Sequence, residues 1–213
     1  MSIPEDTSDT FRTVAVAVDV SSLVLGSKFI AHLAPAGSLA EVETVLHQRQ
    51  RRYADATHHC WACRVGRPES LIEKSADAGE PSGTAGRPIL DALRGAALEN
   101  AACIVTRYFG GTKFGTGGLV RAYAGAATAA IDVAALVSRT VAQKVFIDFE
   151  HERTGALYRA LDELGLHLTD ITYDTRGHGS ALVPLSKVAS LLSRVQGLAP
   201  GGVDIRLGDR EIV

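Results

Sequence analysis

Valines at 14, 16, 18 and 20 alternate with smaller or polar neighbours, the period-two pattern of a half-buried strand. Ser21-Ser22 is expected to turn the chain, and Leu23 to Leu33 to return as a second strand. The period then changes to that of a helix. Ser38 is the predicted N-cap of a helix from Leu39 to about Tyr53, with Glu41 completing a capping box. Val42, Val45, Leu46 and Arg49 share its inner face, and Arg49, Arg51 and Arg52 load its last turn, where cations suit the helix dipole. His58 to Val65 reads as a strand, and Gly66 to Gly86 as a Gly-, Pro- and Ser-rich loop. A short helix over Ile89–Leu98 and a buried strand over Cys103–Thr106 follow. From Gly118 to about Leu136 a longer helix presents Ala122, Ala126, Ala127, Ala129 and Ala130, small enough for close approach to a sheet. Arg121, Gly125, Thr128 and Asp132 fall on its solvent stripe.

After Val137-Ser138-Arg139-Thr140 the pattern restarts. Val145, Ile147 and Phe149 alternate as a strand, and Thr154–Leu164 is a predicted helix. Leu166–Tyr173 is the next strand, Gly177-His178-Gly179 a hairpin turn, and Ser180–Val183 its return. A helix over Leu185–Val195 and a strand over Val203–Leu207 complete a β-α-β-β-α-β order, the ferredoxin-like split βαβ arrangement. The reading is an α+β protein of two domains, residues 1–138 and 141–213. The second domain says nothing by itself about function.

Composition narrows the classes. The 213 residues are 46% hydrophobic with a net charge of -2, so a buried core is affordable and a generally basic nucleic-acid protein is excluded. Residues 1–140 carry 14 basic and 14 acidic side chains, so any basic bias is local to a segment. Three cysteines, an odd number, argue against a disulfide framework and for a reducing compartment. With an acidic, polar start and no membrane-length apolar run, the expectation is a cytoplasmic protein.

The local bias is pronounced. From Asn100 to Ile131 the chain carries no acidic residue for thirty-two positions. A strand enters a loop with Arg107, Tyr108, Gly110, Gly111, Lys113, Gly117 and Gly118, and a helix with Arg121 leaves it. Glycines let backbone N–H groups approach a ligand, and a helix N-terminus adds donors and partial positive charge. Glycines also mark plain turns, and exposed Arg and Lys are commonly just solvated. Where a Walker loop needs lysine after Gly115, Thr116 stands. A second ordered loop runs from Asp77 to Pro88. In it Ser82, Thr84 and Arg87 suit an anion, while Asp77 and Glu80 suit a cation or the arginines. Ser82 lacks the G-x-S-x-G elbow of a hydrolase nucleophile. In Thr57–Cys63 the pairs His58/Cys60 and His59/Cys63 fall on opposite strand faces, which argues against zinc and sets His58 beside the glycine loops.

Four motifs resemble the YigZ/IMPACT family: Ser27–Ala31, Asp55–Trp61, Gly79–Leu90 and Arg107–Tyr123. They are long, in order, and cover roughly residues 10 to 137. The C-terminal part resembles the smaller ferredoxin-like domain of bacterial members. The resemblance implies an N-terminal α/β sandwich like domain IV of elongation factor G and a C-terminal domain like its domain V. It also implies a role in translation control, with RNA or the ribosome as partner. One departure is Ala78, where the family usually has a second aspartate, which disfavours a two-carboxylate metal site. No catalytic residue, metal ligand or cofactor is assigned. The leading expectation is a non-catalytic binding protein whose two glycine loops hold a phosphate backbone. The anion or nucleic-acid site would comprise Arg107, Lys113, Arg121, Arg87, Gly110, Gly111, Gly117, Gly118, Ser82, Thr84, His58 and Tyr108. The alternatives are an enzyme or sensor for a small phosphorylated metabolite, and a protein–protein adaptor.

Overall fold

A computed structural model describes residues 9–66, 70–198 and 202–213. The chain divides into two compact units, one spanning Phe11–Ser138 and the other Arg139–Val213 joined by Asp9 and Thr10. These two N-terminal residues, assigned by sequence to the first domain, group with the second because Asp9 serves it. The Asp9 carboxylate accepts from the backbone N–H of Ser186 at 2.8 and 3.0 Å and from its hydroxyl, and the Asp9 carbonyl accepts from the N–H of Val141 at 2.7 Å. An acidic residue thereby satisfies an open donor in the first turn of a helix.

The first unit opens with β1 (Thr10–Val14), β2 (Val18–Val24) and β3 (Ser27–Pro35). The β2–β3 turn falls at Leu25-Gly26, with φ of 45° and 81°, and not at Ser21-Ser22. Two consecutive positive φ values match the twist of a hairpin, and Gly26 supplies one at no steric cost. Ser21 and Ser22 continue β2 instead.

Helix α1 (Leu39–Arg52) follows its predicted cap. The Glu41 N–H donates to Ser38 Oγ at 3.3 Å, and Glu41 Oε2 accepts from the Gly37 N–H at 2.9 Å. Next come β4 (His58–Val65), β5 (Ile72–Ala76), α2 (Gly86–Gly95), β6 (Ala101–Tyr108) and α3 (Gly115–Val133). β5 lies within the stretch read as loop; its exposed side chains give it no apolar alternation, and it pairs as an edge strand with β4. Residues 67–69 of that stretch lie outside the described residues.

Five of these six strands, all but β1, form one antiparallel sheet in the order β2-β3-β6-β4-β5. Its core strand β6 is buried on both faces, which is why Cys103-Ile104-Val105 reads as a continuous apolar run. Phe29, Leu33, Cys60, Ala62, Cys103 and Val105 pack on one side against α2 and α3. Cys63, Val65, Ala102 and Ile104 pack on the other against α1. The result is a three-layer sandwich. β5 and β6 are both antiparallel to β4 and so run the same way. The loops that lead from them into α2 and α3 therefore emerge at the same end of the sheet.

The second unit contains β7 (Leu136–Phe149), a 3-10 turn (His151–Arg153), α4 (Thr154–Asp162), β8 (Thr169–Tyr173), β9 (Gly177–Pro184), α5 (Leu185–Gly197) and β10 (Val203–Ile212). Its strands lie side by side as β10-β7-β9-β8, all antiparallel, with both helices on one face over Val145, Ile147, Phe149, Ala181 and Val183. This is the ferredoxin-like topology the element order predicts. The hairpin turn sits at Asp174–Arg176, while Gly177 and Gly179 belong to β9. A Cβ on Gly177 would stand 2.4 Å from the Phe149 ring, so this glycine serves packing and not turning.

Candidate functional site

Two glycine loops, the β2–β3 turn and the start of β4 share one end of the first sheet. Arg107, near the end of β6, lies in register between Phe29 of β3 and His58 of β4. It faces the α2/α3 side, and its guanidinium is enclosed. Nη1 donates to Glu80 Oε1 at 2.5 Å, with the two side chains only 5% and 4% exposed. Nη2 donates to Ser27 Oγ at 3.3 Å, and the group lies over the Phe114 ring at 4.9 Å and the Phe29 and Phe109 rings at 5.5 Å. Expected at the phosphate-facing surface, Arg107 is instead the internal clamp between the two loops. The physical reason is Glu80, which the sequence reading allowed to pair with an arginine.

Glu80 gathers the rest of the cluster. Tyr123 of α3 donates its hydroxyl to Glu80 Oε1 at 2.7 Å, and Cys60 Sγ lies 3.3 Å from the Tyr123 oxygen. Cys60 Sγ is also 2.9 Å from the Asp77 carbonyl. Burial pushes the Cys60 thiol up to about 12 and the fully enclosed Cys103 thiol likewise to about 12, so both stay protonated and non-nucleophilic at neutral pH. His58 Nδ1 lies 3.0 Å from the Ala78 carbonyl, which can only accept, so Nδ1 carries the proton. Its Nε2 is 3.9 Å from Glu80 Oε1. His59, Cys63 and Tyr108 take the opposite side of the sheet, where the Tyr108 hydroxyl donates to Asp55 Oδ1 at 2.7 Å. Tyr108 is thus not brought together with Arg107 and His58. Among the described residues no group of three His, Cys, Asp or Glu side chains is arranged to hold a metal.

The Asp77–Arg87 loop is ordered by its own aspartate. Asp77 accepts backbone N–H bonds from Gly83 at 2.8 Å and from Ala85 and Gly86 at 2.9 Å. Desolvation works against its charge, but these three donors outweigh it and hold the carboxyl below its ordinary value. The N-terminus of α2 is therefore already occupied by an internal anion. Thr84 is buried and donates its hydroxyl to the Pro81 carbonyl at 2.7 Å, within the loop. Ser82 is exposed. Arg87 is exposed and pairs with Asp91 at 3.2 Å. Asp77 as the organiser of this loop escaped the sequence reading; a carboxylate six to nine residues before a run of glycine and small-residue N–H groups is the available signal.

The Phe109–Gly118 loop differs. Gly110 donates its N–H to Ser27 Oγ at 3.1 Å, and Phe109 to Thr57 Oγ1 at 3.1 Å, so the loop's base is fixed. Beyond it Gly111 and Gly115 take φ of 87° and 67°, conformations suited to glycine. The 19-residue α3 starts at Gly115 with no side-chain cap on its first turn. Gly117 is exposed and Gly118 half-buried, the latter making room for Phe114. Lys113 and Arg121 are exposed and form no salt bridge with the described residues. Arg121 projects back along α3 toward Gly117, from whose added Cβ its Nη1 would be 3.5 Å. The donors and the free cations thus coincide at α3.

Residues 25–131 match the Impact N-terminal domain. Over 200 residues the chain is 30% identical to "IMPACT family member YvyE" of Bacillus subtilis (strain 168), covering 94% of this chain and 92% of that one. The chain belongs to the IMPACT family. The IMPACT relationship extends across both units: "IMPACT family member YigZ" of Escherichia coli (strain K12) is 27% identical over 90% of this chain and 94% of that protein. A solved crystal structure of a hypothetical protein superposes with a TM-score of 0.67 at 26% identity, covering 93% of this chain and 97% of the other. The clamp and both loops lie inside the matched IMPACT segment. No helix among the described residues is long and apolar enough to cross a membrane.

Proposed function

We propose that this IMPACT protein is a non-catalytic nucleic-acid- or ribosome-binding protein acting in translation control, and that it holds a phosphate backbone at the start of α3. The observation that carries this reading is the pairing of an uncapped helix N-terminus with two unneutralised cations, Lys113 and Arg121, in a stretch without acidic residues. Arg87, across the clamp on α2, adds a third, partly neutralised cation. Arg107 supports the site from beneath by locking the two loops together through Glu80. The cations are separated by glycines, which suits a ligand presenting repeated phosphates to backbone donors.

The test is sedimentation of cell lysate, with and without nuclease. The intact protein is expected to travel with ribosomes or RNA-containing particles, and the variant Lys113→Ala/Arg121→Ala to remain in the supernatant. Free migration of the intact protein would contradict the proposal. Nuclease-resistant association that the double variant leaves unchanged would replace it with a protein–protein adaptor.

A further inference from the structure

The phosphate reading leaves one conspicuous surface feature unused. The β2–β3 hairpin tip exposes Leu23 by 74%, Val24 by 37% and Leu25 by 62%, a run of three apolar side chains in solvent. Leu25 occupies a positive φ of 45°, a conformation that glycine or asparagine fills with far less strain. A large apolar residue kept at such a position points to a contact outside the folded chain.

The tip adjoins the glycine loop. A Cβ on Gly110 would lie 1.9 Å from the carbonyl carbon of Gly26, so the two backbones touch with no room for a side chain on Gly110. Next to Gly110, Phe109 is 48% exposed and rests against the buried Arg107 guanidinium, which sets its ring in place. Lys28 is exposed opposite Tyr108 and, across the hairpin, opposite Leu23.

Charge decides the occupant. From Val20 to Ala40 the chain carries no acidic residue, just as it carries none from Asn100 to Ile131. The two acid-free segments pair along β3 and β6, and the tip and the glycine loop lie at one end of that pairing. The acidic groups at this end of the sheet are engaged: Glu80 with Arg107 and Tyr123, Asp77 with three backbone N–H groups, Asp55 with Tyr108. An apolar tip carrying Lys28 close by and touching the loop that bears Lys113 complements a polyanion that also offers apolar faces. Unpaired nucleobases meet both conditions, while a continuous duplex hides its base faces.

We propose that Leu25, at the hairpin tip, and Phe109 form a base-contacting wedge, so that the ligand of this end of the sheet is a nucleic acid with unpaired bases. The proposal rests on the phosphate-binding reading and specifies its substrate. Lys113 and Arg121 hold the backbone, and the wedge stacks against or between exposed bases.

Fluorescence anisotropy on the full chain tests it with three labelled probes of equal length: single-stranded RNA, the same strand with abasic positions, and a blunt RNA duplex. A DNA strand of the same sequence separates the two nucleic acids. The variants are Phe109→Ala and Leu25→Asn, the latter chosen because Asn suits the positive φ. Unchanged circular dichroism and melting show that the fold is kept. The intact protein is expected to favour the single strand over both other probes by about tenfold, and each wedge variant to lose about tenfold on the single strand alone. Lys113→Ala/Arg121→Ala should weaken binding to all probes.

If that charge variant loses binding while the wedge variants match the intact protein, the wedge is wrong and the phosphate reading stands. If no probe binds measurably, both fall. Binding to anionic lipid vesicles that only the wedge variants abolish, with RNA affinity unaffected, would overturn the wedge in favour of a membrane contact.

Discussion

Replacing Arg107 with alanine separates the clamp from a simple phosphate contact. In the folded chain its guanidinium sits 2.5 Å from Glu80 Oε1, with both side chains almost wholly enclosed. Removing it leaves the Glu80 carboxylate buried with the Tyr123 hydroxyl at 2.7 Å and, as its nearest basic group, His58 Nε2 at 3.9 Å. Breaking one half of a buried pair costs about 3–5 kcal/mol, since the remaining charge keeps its desolvation penalty. For a unit of this size each kcal/mol shifts melting by about 3–5 °C, so Arg107→Ala should melt about 9–25 °C lower. Trp61, the sole tryptophan, lies in β4 and reports on the first unit alone. Urea unfolding followed by its fluorescence is therefore the assay. Arg107→Met/Glu80→Gln, which removes both charges at similar volume, should recover most of the loss. If Arg107→Ala unfolds within about 1 kcal/mol of the intact protein, the cost expected of a surface change, the buried clamp is refuted.

Three further outcomes follow from the same contacts. Gly110→Ala should destabilise the first unit by about 1–3 kcal/mol in the Trp61 assay, because its Cβ meets the Gly26 backbone and neither strand end can yield freely. Asp77 has a folded-state pKa below its unfolded value, so its contribution is present above the unfolded value and fades as pH falls through the folded one. Asp77→Ala should flatten that part of the acid limb in a pH series of unfolding midpoints and cost about 1 kcal/mol at neutral pH through the lost N–H acceptor. His178, whose ring nitrogens face Asp148 at 2.6 Å and Asp174 at 3.1 Å, has a raised pKa because both carboxylates favour imidazolium. Its contribution to the second unit is complete below the unfolded pKa and is lost as pH rises through the folded one. NMR titration of the His178 ring should show the raised midpoint, and Asp148→Asn should lower it.

Much of the fold was legible because its signals were local. Ser38 and Glu41 lie three residues apart and form their box in isolation, and the alternation of Val145, Ile147 and Phe149 needs no knowledge of neighbours. The errors arose where a distant partner decides. Gly177 looks like a turn residue until the Phe149 ring is seen to fill the space of its side chain. Ser21-Ser22 has turn composition, but the chain turns where Leu25-Gly26 can take positive φ. β5 is an edge strand with little buried surface, so pairing and not hydrophobic pattern defines it. At the site, Lys113 and Arg121 of the acid-free segment are exposed and form no salt bridge among the described residues. Arg107, expected at the phosphate, is buried instead, because its role depends on a glutamate 27 residues earlier that only the sheet brings within reach. Tyr108 was one residue from Arg107 in sequence and, by strand alternation, on the other side of the sheet.

The central claim is that cations at the start of α3 neutralise phosphates, and the salt dependence of RNA binding measures it most directly. With contacts from Lys113, Arg121 and Arg87, the logarithm of the association constant for single-stranded RNA should fall with the logarithm of salt at a slope of about -2. Lys113→Ala/Arg121→Ala should reduce that slope to about -0.7, one remaining contact. A slope near zero, or one the double variant leaves unchanged, would contradict the account.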